Sequence, residues 1–277
     1  MKVLYYVNLN NEVKMPQLGL GVWRVTPEDA TNSVLHAIKS GYRSIDTAAV
    51  YQNEEGVGKA LKECGVPREQ LFITTKVWNS DQGYEETLAA FDVSLRKLGL
   101  DYIDLYLVHW RTPQLDKYID TYKALEKLYQ EGRVKAIGVC NFHIEHLERL
   151  MAECEVKPVL NQIECHPYLT QKPLKEFCAS HNIFVESWSP LQQGGEVLQD
   201  EVIVELANKY NKTPAQIVIR WHLEENSIVI PKSITPSRIE ENMNVFDFQL
   251  TKEEVERISA LNKNERKGPD PADFNVL

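Results

Sequence analysis

Four side chains in the first half of the chain could together move a proton. Asp46 and Tyr51 stand five residues apart in "GYRSIDTAAVYQNEEGVGKAL", Lys76 ends "LFITTK", and His109 ends "YIDLYLVH". A free phenol has a pKa of about 10. An ammonium beside it stabilises phenolate and brings that value toward neutrality. A carboxylate would hold the ammonium in place and keep it charged, and a neutral imidazole can donate a hydrogen bond to a substrate oxygen. Around one cavity, the four make a proton donor aimed at a carbonyl oxygen. Singly, each has a plainer reading. Asp46 could satisfy loop amides, Lys76 could be a solvated lysine, Tyr51 and His109 could be packing. Only a fold that gathers them favours chemistry.

The elements that must position them are legible as alternation. Short apolar runs ("QLGLGV", "YRSID", "LFITTK", "YIDLYLVH", "KAIGVC", "PVLNQIE", "IFVESW", "SIVIPK") are separated by amphipathic stretches of helical period. "TPEDATNSVLHAIKSG" carries Pro27 at a helix start and Gly41 just past its end. "TPAQIVIRWHL" opens on a Thr213 cap followed by Pro214. Repeated βα units imply a parallel sheet, and eight of them in 277 residues imply a closed (β/α)8 TIM barrel of the α/β class. "YVNLNNEVKM" reads as an N-terminal β-hairpin capping one end. "DEVIVELANKY" and "LTKEEVERISALN" are two helices beyond the required eight. No linker divides the chain, so residues 1–277 read as one domain.

In such a barrel the strand ends converge on one face, which carries the active site. Seven strands in succession end in polar or amphipathic groups: Asp46, Lys76, His109, Asn141, Asn161 with Gln162 and Glu164, Trp188 with Ser189, and Lys232 with Ser233. Trp23, Trp78 and Trp110 lie just past strands, where they suit the walls of a substrate pocket.

These ordered blocks, with "MPQLGLGVW", "AIGVCNF", "NQIECHPYL", "ESWSPL" and "IPKSITPSRIEEN" added, resemble the aldo-keto reductase family across nearly the whole chain. Within it they are most similar to bacterial reductases of methylglyoxal, glyoxal and 2,5-diketogluconate. The resemblance implies Asp46, Tyr51, Lys76 and His109 as the catalytic tetrad. It implies NADPH bound without a Rossmann domain, its hydride passing to a carbonyl carbon while Tyr51 supplies the proton. It further implies Asn141 and Gln162 at the carboxamide, Trp188 stacked on the nicotinamide and Leu191 over the pyrophosphate. Lys232, Ser233 and Arg238 fall at the 2′-phosphate, and Glu241 and Asn242 at the adenine. Two cations beside a helix start suit a phosphate on physical grounds as well. Three positions depart from the pattern: Cys140 stands where Ser is usual, Gln192 where Gly is usual, and Arg111 where Pro is common.

The remaining features narrow the function. A net charge of −9 argues against nucleic acid as the main partner. No apolar run is long enough to span a bilayer, and the N-terminus does not read as a signal peptide. Five cysteines without a CxxC pair read as reduced thiols of a cytoplasmic protein, expected to be monomeric and to use no metal. His143 and His146 have metal-like spacing but no third ligand, and read as a solvated helix face. "GVGKAL" and "GLGVWR" lack the full phosphate- and dinucleotide-binding spacings. Short connections after His109 and a short tail predict a shallow, open site for small aldehydes. Two rivals stand beside the reductase: a class I aldolase using Lys76 or Lys232 as a Schiff base, and a non-catalytic cofactor-binding auxiliary subunit.

Overall fold

The computed structural model describes residues 5–277; residues 1–4, the start of the segment read as no signal peptide, lie outside the described range. An antiparallel hairpin, β1 (Tyr6–Asn8) and β2 (Lys14–Pro16), opens the described chain. Eight parallel strands follow: β3 (Leu20–Gly21), β4 (Ser44–Asp46), β5 (Phe72–Val77), β6 (Ile103–Val108), β7 (Val134–Cys140), β8 (Leu160–Glu164), β9 (Phe184–Trp188) and β10 (Ile228–Val229). Each pairs with the next. Bridges from Leu18 to Val229 and from Gly21 to Lys232 bring the last strand back to the first, so the sheet is a (β/α)8 barrel.

Helices α1 (Pro27–Ser40), α2 (Glu54–Glu63), α3 (Tyr84–Leu98), α4 (Tyr118–Gln130), α5 (Ile144–Glu153) and α6 (Lys172–Ser180) each follow one strand. Beyond β9 come α7 (Glu201–Tyr210) and α8 (Pro214–Glu224), and beyond β10 come α9 (Pro236–Met243) and α10 (Lys252–Ser259). The two supernumerary helices are α7 and α10, the two stretches that exceed the repeat in the sequence.

Local chemistry accounts for the boundaries. Thr26 accepts from the Asp29 N–H at the start of α1, and Gly41 ends it at φ 113°, a left-handed value that favours glycine. Thr213 and Gln216 form a reciprocal capping box on α8. β5 and β6 are buried along their whole length, as parallel strands covered on both faces must be. Leu105, Leu107, Ala136 and Leu160 form an inner core with Met15 of the hairpin. Tyr106, Val108 and Ile137, on the other face of their strands, belong to the larger outer core.

The hairpin seals the end of the barrel where strands begin. Asn10 Nδ2 donates to Pro158 O (2.9 Å) and Asn182 O (3.1 Å), and Asn11 Nδ2 to Lys135 O (2.9 Å). Those carbonyls lie at or just before the starts of β8, β9 and β7, so the opposite end, where strands finish, is left for the site.

Candidate active site

Asp46, Lys76 and His109 come from the ends of three adjacent strands, and Tyr51 from a short helical turn, Ala49–Tyr51, just past β4. Lys76 Nζ donates to Asp46 Oδ1 at 2.6 Å, to Thr47 O at 2.8 Å and to Tyr51 Oη at 3.4 Å. The Lys76 side chain is 0% exposed and that of Asp46 4%. His109 packs edge-on to Tyr51, with ring centroids 5.6 Å apart, and to Trp78 at 5.2 Å. The four residues singled out in the sequence therefore share one nest.

Burial by itself would lower the Lys76 pKa, but the Asp46 carboxylate outweighs it and the ammonium stays charged. His109 is held well below the usual imidazole value, first by burial and then by the Lys76 charge, so it is neutral at physiological pH. The expected lowering of Tyr51 is not what the unliganded geometry gives. Desolvation dominates and pushes the phenol up to about 12, with Lys76 opposing only in part and Asp46 adding to the rise. The Asp46 carboxylate paired with the ammonium cancels part of its field at the phenol. The result is a phenol that keeps its proton, which suits an acid.

This electrostatics separates the rival chemistries. A Schiff-base lysine must shed its proton to attack a carbonyl. Lys76 is stabilised in the charged form, which argues against it as the Schiff-base lysine of an aldolase.

The second group of residues flanks the nest. Asn141, at a left-handed φ of 59°, donates from Nδ2 to His109 O (3.1 Å) and accepts from Trp188 Nε1 (2.9 Å). The Trp188 indole is half-buried at the mouth. Gln162 Nε2 donates to Asp46 Oδ2 (2.7 Å) and to Glu186 Oε2 (2.8 Å). Both amide hydrogens are thereby turned inward, leaving Oε1 as the free atom of the amide. Lys232 and Arg238 are exposed and take part in none of the ion pairs among the described residues. They flank the first turn of α9, which carries no carboxylate and whose N-cap, Thr235, makes no side-chain cap bond. A helix start with the Ser237 N–H unbonded, two unpaired cations and no carboxylate in its first turn make an anion cradle. Ser233 is buried beside it, its Oγ accepting from Thr235 N (3.1 Å). Glu241 accepts from Thr213 Oγ1 (2.9 Å), and Asn242 is buried one residue on. A dinucleotide phosphate fits this donor set.

The three departures are placed as follows. Cys140 is fully buried, and burial drives its thiol well above its ordinary value. Gln192 adopts φ 52° and folds beneath its own loop, Oε1 accepting from Val197 N at 3.0 Å. The left-handed strain of a non-glycine residue is thus offset by a hydrogen bond that ties the loop beginning at Leu191 to the turn beyond. Arg111 is half-buried at the rim.

Trp23 is 39% exposed, with the Arg24 guanidinium 4.1 Å above its ring. Two further expectations need correction. The mouth is not open. The C-terminal tail crosses it, with Phe274 packed on Trp110 at 4.1 Å and facing Trp78 at 6.3 Å. Gln114 N donates to Asn275 Oδ1 (2.8 Å) and Asn79 Nδ2 to Val276 O (2.7 Å). The tail's single aromatic ring found the two mouth indoles. His143 and His146 are likewise no solvated face: the His143 N–H donates to His146 Nδ1 (3.1 Å), and His146 is buried at the start of α5.

Sequence reasoning missed Glu186. It lies wholly buried in β9, a second carboxyl beside Gln162, and its pKa is raised by burial and by the Asp46 charge. A glutamate inside the apolar run "IFVESW" was the available signal.

With this geometry in view, comparison with known proteins is decisive. Residues 15–263 match the model of the Aldo/keto reductase family. A glyoxal reductase of Bacillus subtilis is 57% identical, over 96% of this chain and 95% of its own. A 9,11-endoperoxide prostaglandin H2 reductase of Trypanosoma cruzi is 54% identical, over 97% and 95%. The crystal structure of a Gox0644 mutant in complex with NADPH superposes with a TM-score of 0.94 at 47% identity, covering 98% of this chain and 99% of that one. A barrel with a buried Asp–Lys–Tyr relay at its mouth, matched along its length in sequence and in structure, belongs to the aldo/keto reductase family.

Proposed function

We propose that this chain, acting as one catalytic domain, reduces small reactive carbonyls to alcohols at the expense of NADPH, with 1,2-dicarbonyls such as glyoxal and methylglyoxal as preferred substrates. One observation carries the reading: the Lys76 ammonium is buried between the Asp46 carboxylate and the Tyr51 hydroxyl, beside a neutral His109. NADPH, when bound, supplies the hydride. Tyr51 gives its proton to the carbonyl oxygen as the new C–H bond forms, and Lys76 stabilises the phenolate left behind. Asp46 fixes Lys76 and keeps it charged, and His109 offers an N–H to the same oxygen and so orients the substrate. Trp188 would lie against the nicotinamide face, with Gln162 and Asn141 at its carboxamide. Leu191 would cover the pyrophosphate, while Lys232, Ser233 and Arg238 hold the 2′-phosphate and Glu241 and Asn242 the adenine. Phe274, Trp110 and Trp78 narrow the entrance, which favours small substrates and excludes water from the reacting atoms.

The setting follows from the same features. Five unpaired cysteines and the absence, among the described residues, of a helix long and apolar enough to cross a membrane support a cytoplasmic enzyme, which we take to act as a monomer. The test is NADPH oxidation across glyoxal, methylglyoxal, aryl aldehydes, diketogluconate, aldoses and prostaglandin H2. The two dicarbonyls should give the highest kcat/KM. No NADPH consumption with any carbonyl would overturn the activity. A prostaglandin turned over faster than both dicarbonyls would overturn the size argument alone.

A further inference from the structure

Glu164 ends β8 on the rim of the mouth, yet its side chain is 0% exposed, as is that of His166. Oε1 accepts from His166 Nε2 (3.0 Å) and from the backbone N–H of Lys267 (2.6 Å), and Oε2 accepts from the Gly268 N–H (2.9 Å). Both oxygens are thus committed to a stretch of chain about a hundred residues later in sequence. Burial alone would raise the carboxyl's pKa, but these three hydrogen bonds outweigh it and hold the group below its usual value, so it is ionised. A carboxylate kept charged in a dry site is costly unless its acceptors are filled. Here they are filled by the tail.

What the tail touches at that point gives the arrangement meaning. Gly268 lies directly against the Trp188 indole. A methyl there would overlap the ring at Cη2 and stand 3.2 Å from Cζ3, with Glu164 Oε2 at 3.3 Å. The far side of the indole is held by the bond from Nε1 to Asn141 Oδ1 (2.9 Å). Further along, Asp270 Oδ1 meets His143 Nε2 (2.9 Å), and Phe274 reaches Trp110. The same tail that roofs the substrate entrance therefore bears on the aromatic platform beside it.

We propose that Glu164 is a positioning residue that, by gripping the Lys267–Gly268 backbone, presses the tail against Trp188 and so couples seating of the tail to the orientation of the indole. The consequence for NADPH rests on the functional reading above. The coupling itself belongs to the unliganded chain. Glu164→Gln keeps the shape but removes the charge and replaces one acceptor with an N–H pair facing a backbone donor. Gly268→Ala keeps both backbone donors to Glu164 and pushes a methyl into the ring, its overlap with the indole being far closer than its 3.3 Å approach to Glu164 Oε2.

Three measurements decide it: trypsin cleavage at Arg266 and Lys267, indole fluorescence of the unliganded enzyme, and NADPH affinity by fluorescence titration. The Trp188 signal is assigned by repeating the spectra in a Trp188→Phe background. Glu164→Gln should be cut about tenfold faster, show a red-shifted and more mobile Trp188, and bind NADPH about tenfold more weakly, the loss expected for one charge-assisted hydrogen bond. Gly268→Ala should alter the Trp188 spectrum and NADPH affinity as much, with tail cleavage at the wild-type rate. Should Glu164→Gln not fold, Gly268→Ala still decides whether that contact sets the indole. A tail freed by Glu164→Gln with the Trp188 spectrum unchanged would overturn the coupling. NADPH failing to bind the wild-type chain would overturn the functional reading and leave the fluorescence result standing.

Discussion

Two pairs of charges lie at the same end of the barrel and are built on opposite physics. Lys76 and Asp46 are sealed from solvent, and the ammonium has three partners within 3.4 Å. Lys232 and Arg238, at the last strand and the helix after it, are exposed and unpaired among the described residues. The inner pair gives up solvation to gain a strong, fixed field, which can hold one group charged and its neighbour neutral. The outer pair keeps its water and its freedom. It can attract an anion from solution and adds to affinity, but its field is screened by salt and its geometry is completed only by what binds. The contrast separates turnover from capture.

Breaking the inner group should have the largest effect. Tyr51→Phe is expected to lower kcat by about 100-fold or more, the scale of a lost general acid, with NADPH affinity within about twofold of wild type. A variant retaining most of its kcat would erase the distinction between the two regions. Next in size comes the outer pair. Arg238→Ala should weaken NADPH by about 10- to 100-fold, corresponding to one charge-assisted bond of about 1.5–3 kcal/mol, and leave NADH almost unaffected. The wild type should for the same reason prefer NADPH, and that preference should shrink as ionic strength rises while kcat does not change. Equal affinities for the two cofactors would break the assignment.

A pH series sharpens the comparison further. Burial keeps the Tyr51 phenol protonated up to about 12 and His109 neutral well below the usual imidazole range. Neither group changes charge between about pH 6 and 9, so kcat for carbonyl reduction should be flat there. A fall in kcat with a midpoint near neutrality would show that one of them titrates. The smallest effect is expected at Cys140. Cys140→Ser restores a hydroxyl beside Asn141 and should tighten NADPH by a few-fold, about 0.5–1.5 kcal/mol for one neutral hydrogen bond. No change in affinity would mean that the thiol costs the cofactor nothing.

How much of this was legible in sequence follows the same division. The barrel could be read because each βα unit carries its own signals in its period and caps, as Thr26 and Gly41 show on α1. The inner residues could be read because Asp46, Lys76 and His109 lie at strand ends and Tyr51 just past one, and strand ends converge by topology alone. Contacts made by the tail could not. The reach of Phe274 to Trp110 and the grip of Glu164 on Lys267 and Gly268 depend on how an irregular segment lies across the surface, and no periodicity encodes that. The Tyr51 pKa is hidden for another reason. The sequence names the neighbours, but weighing desolvation against a charge 3.4 Å away requires the burial, which only the fold supplies.

The hairpin at the closed end bears on how the chain becomes folded at all. Its asparagines bond to carbonyls 124, 148 and 172 positions downstream. Leu18 and Gly21, before and within β3, find their closing partners at Val229 and Lys232. The hairpin is therefore made long before it is satisfied, since its acceptors run from Lys135, about halfway along the 277 residues, to Asn182, about two thirds along. Until then the barrel has two unpaired sheet edges and an unplugged floor lined by Leu105, Leu107 and Leu160. Non-local closure of this kind is slow, and its intermediates are prone to aggregate. Substitutions at Asn10 or Asn11 should thus act mainly on the yield and rate of maturation rather than on the finished enzyme's turnover.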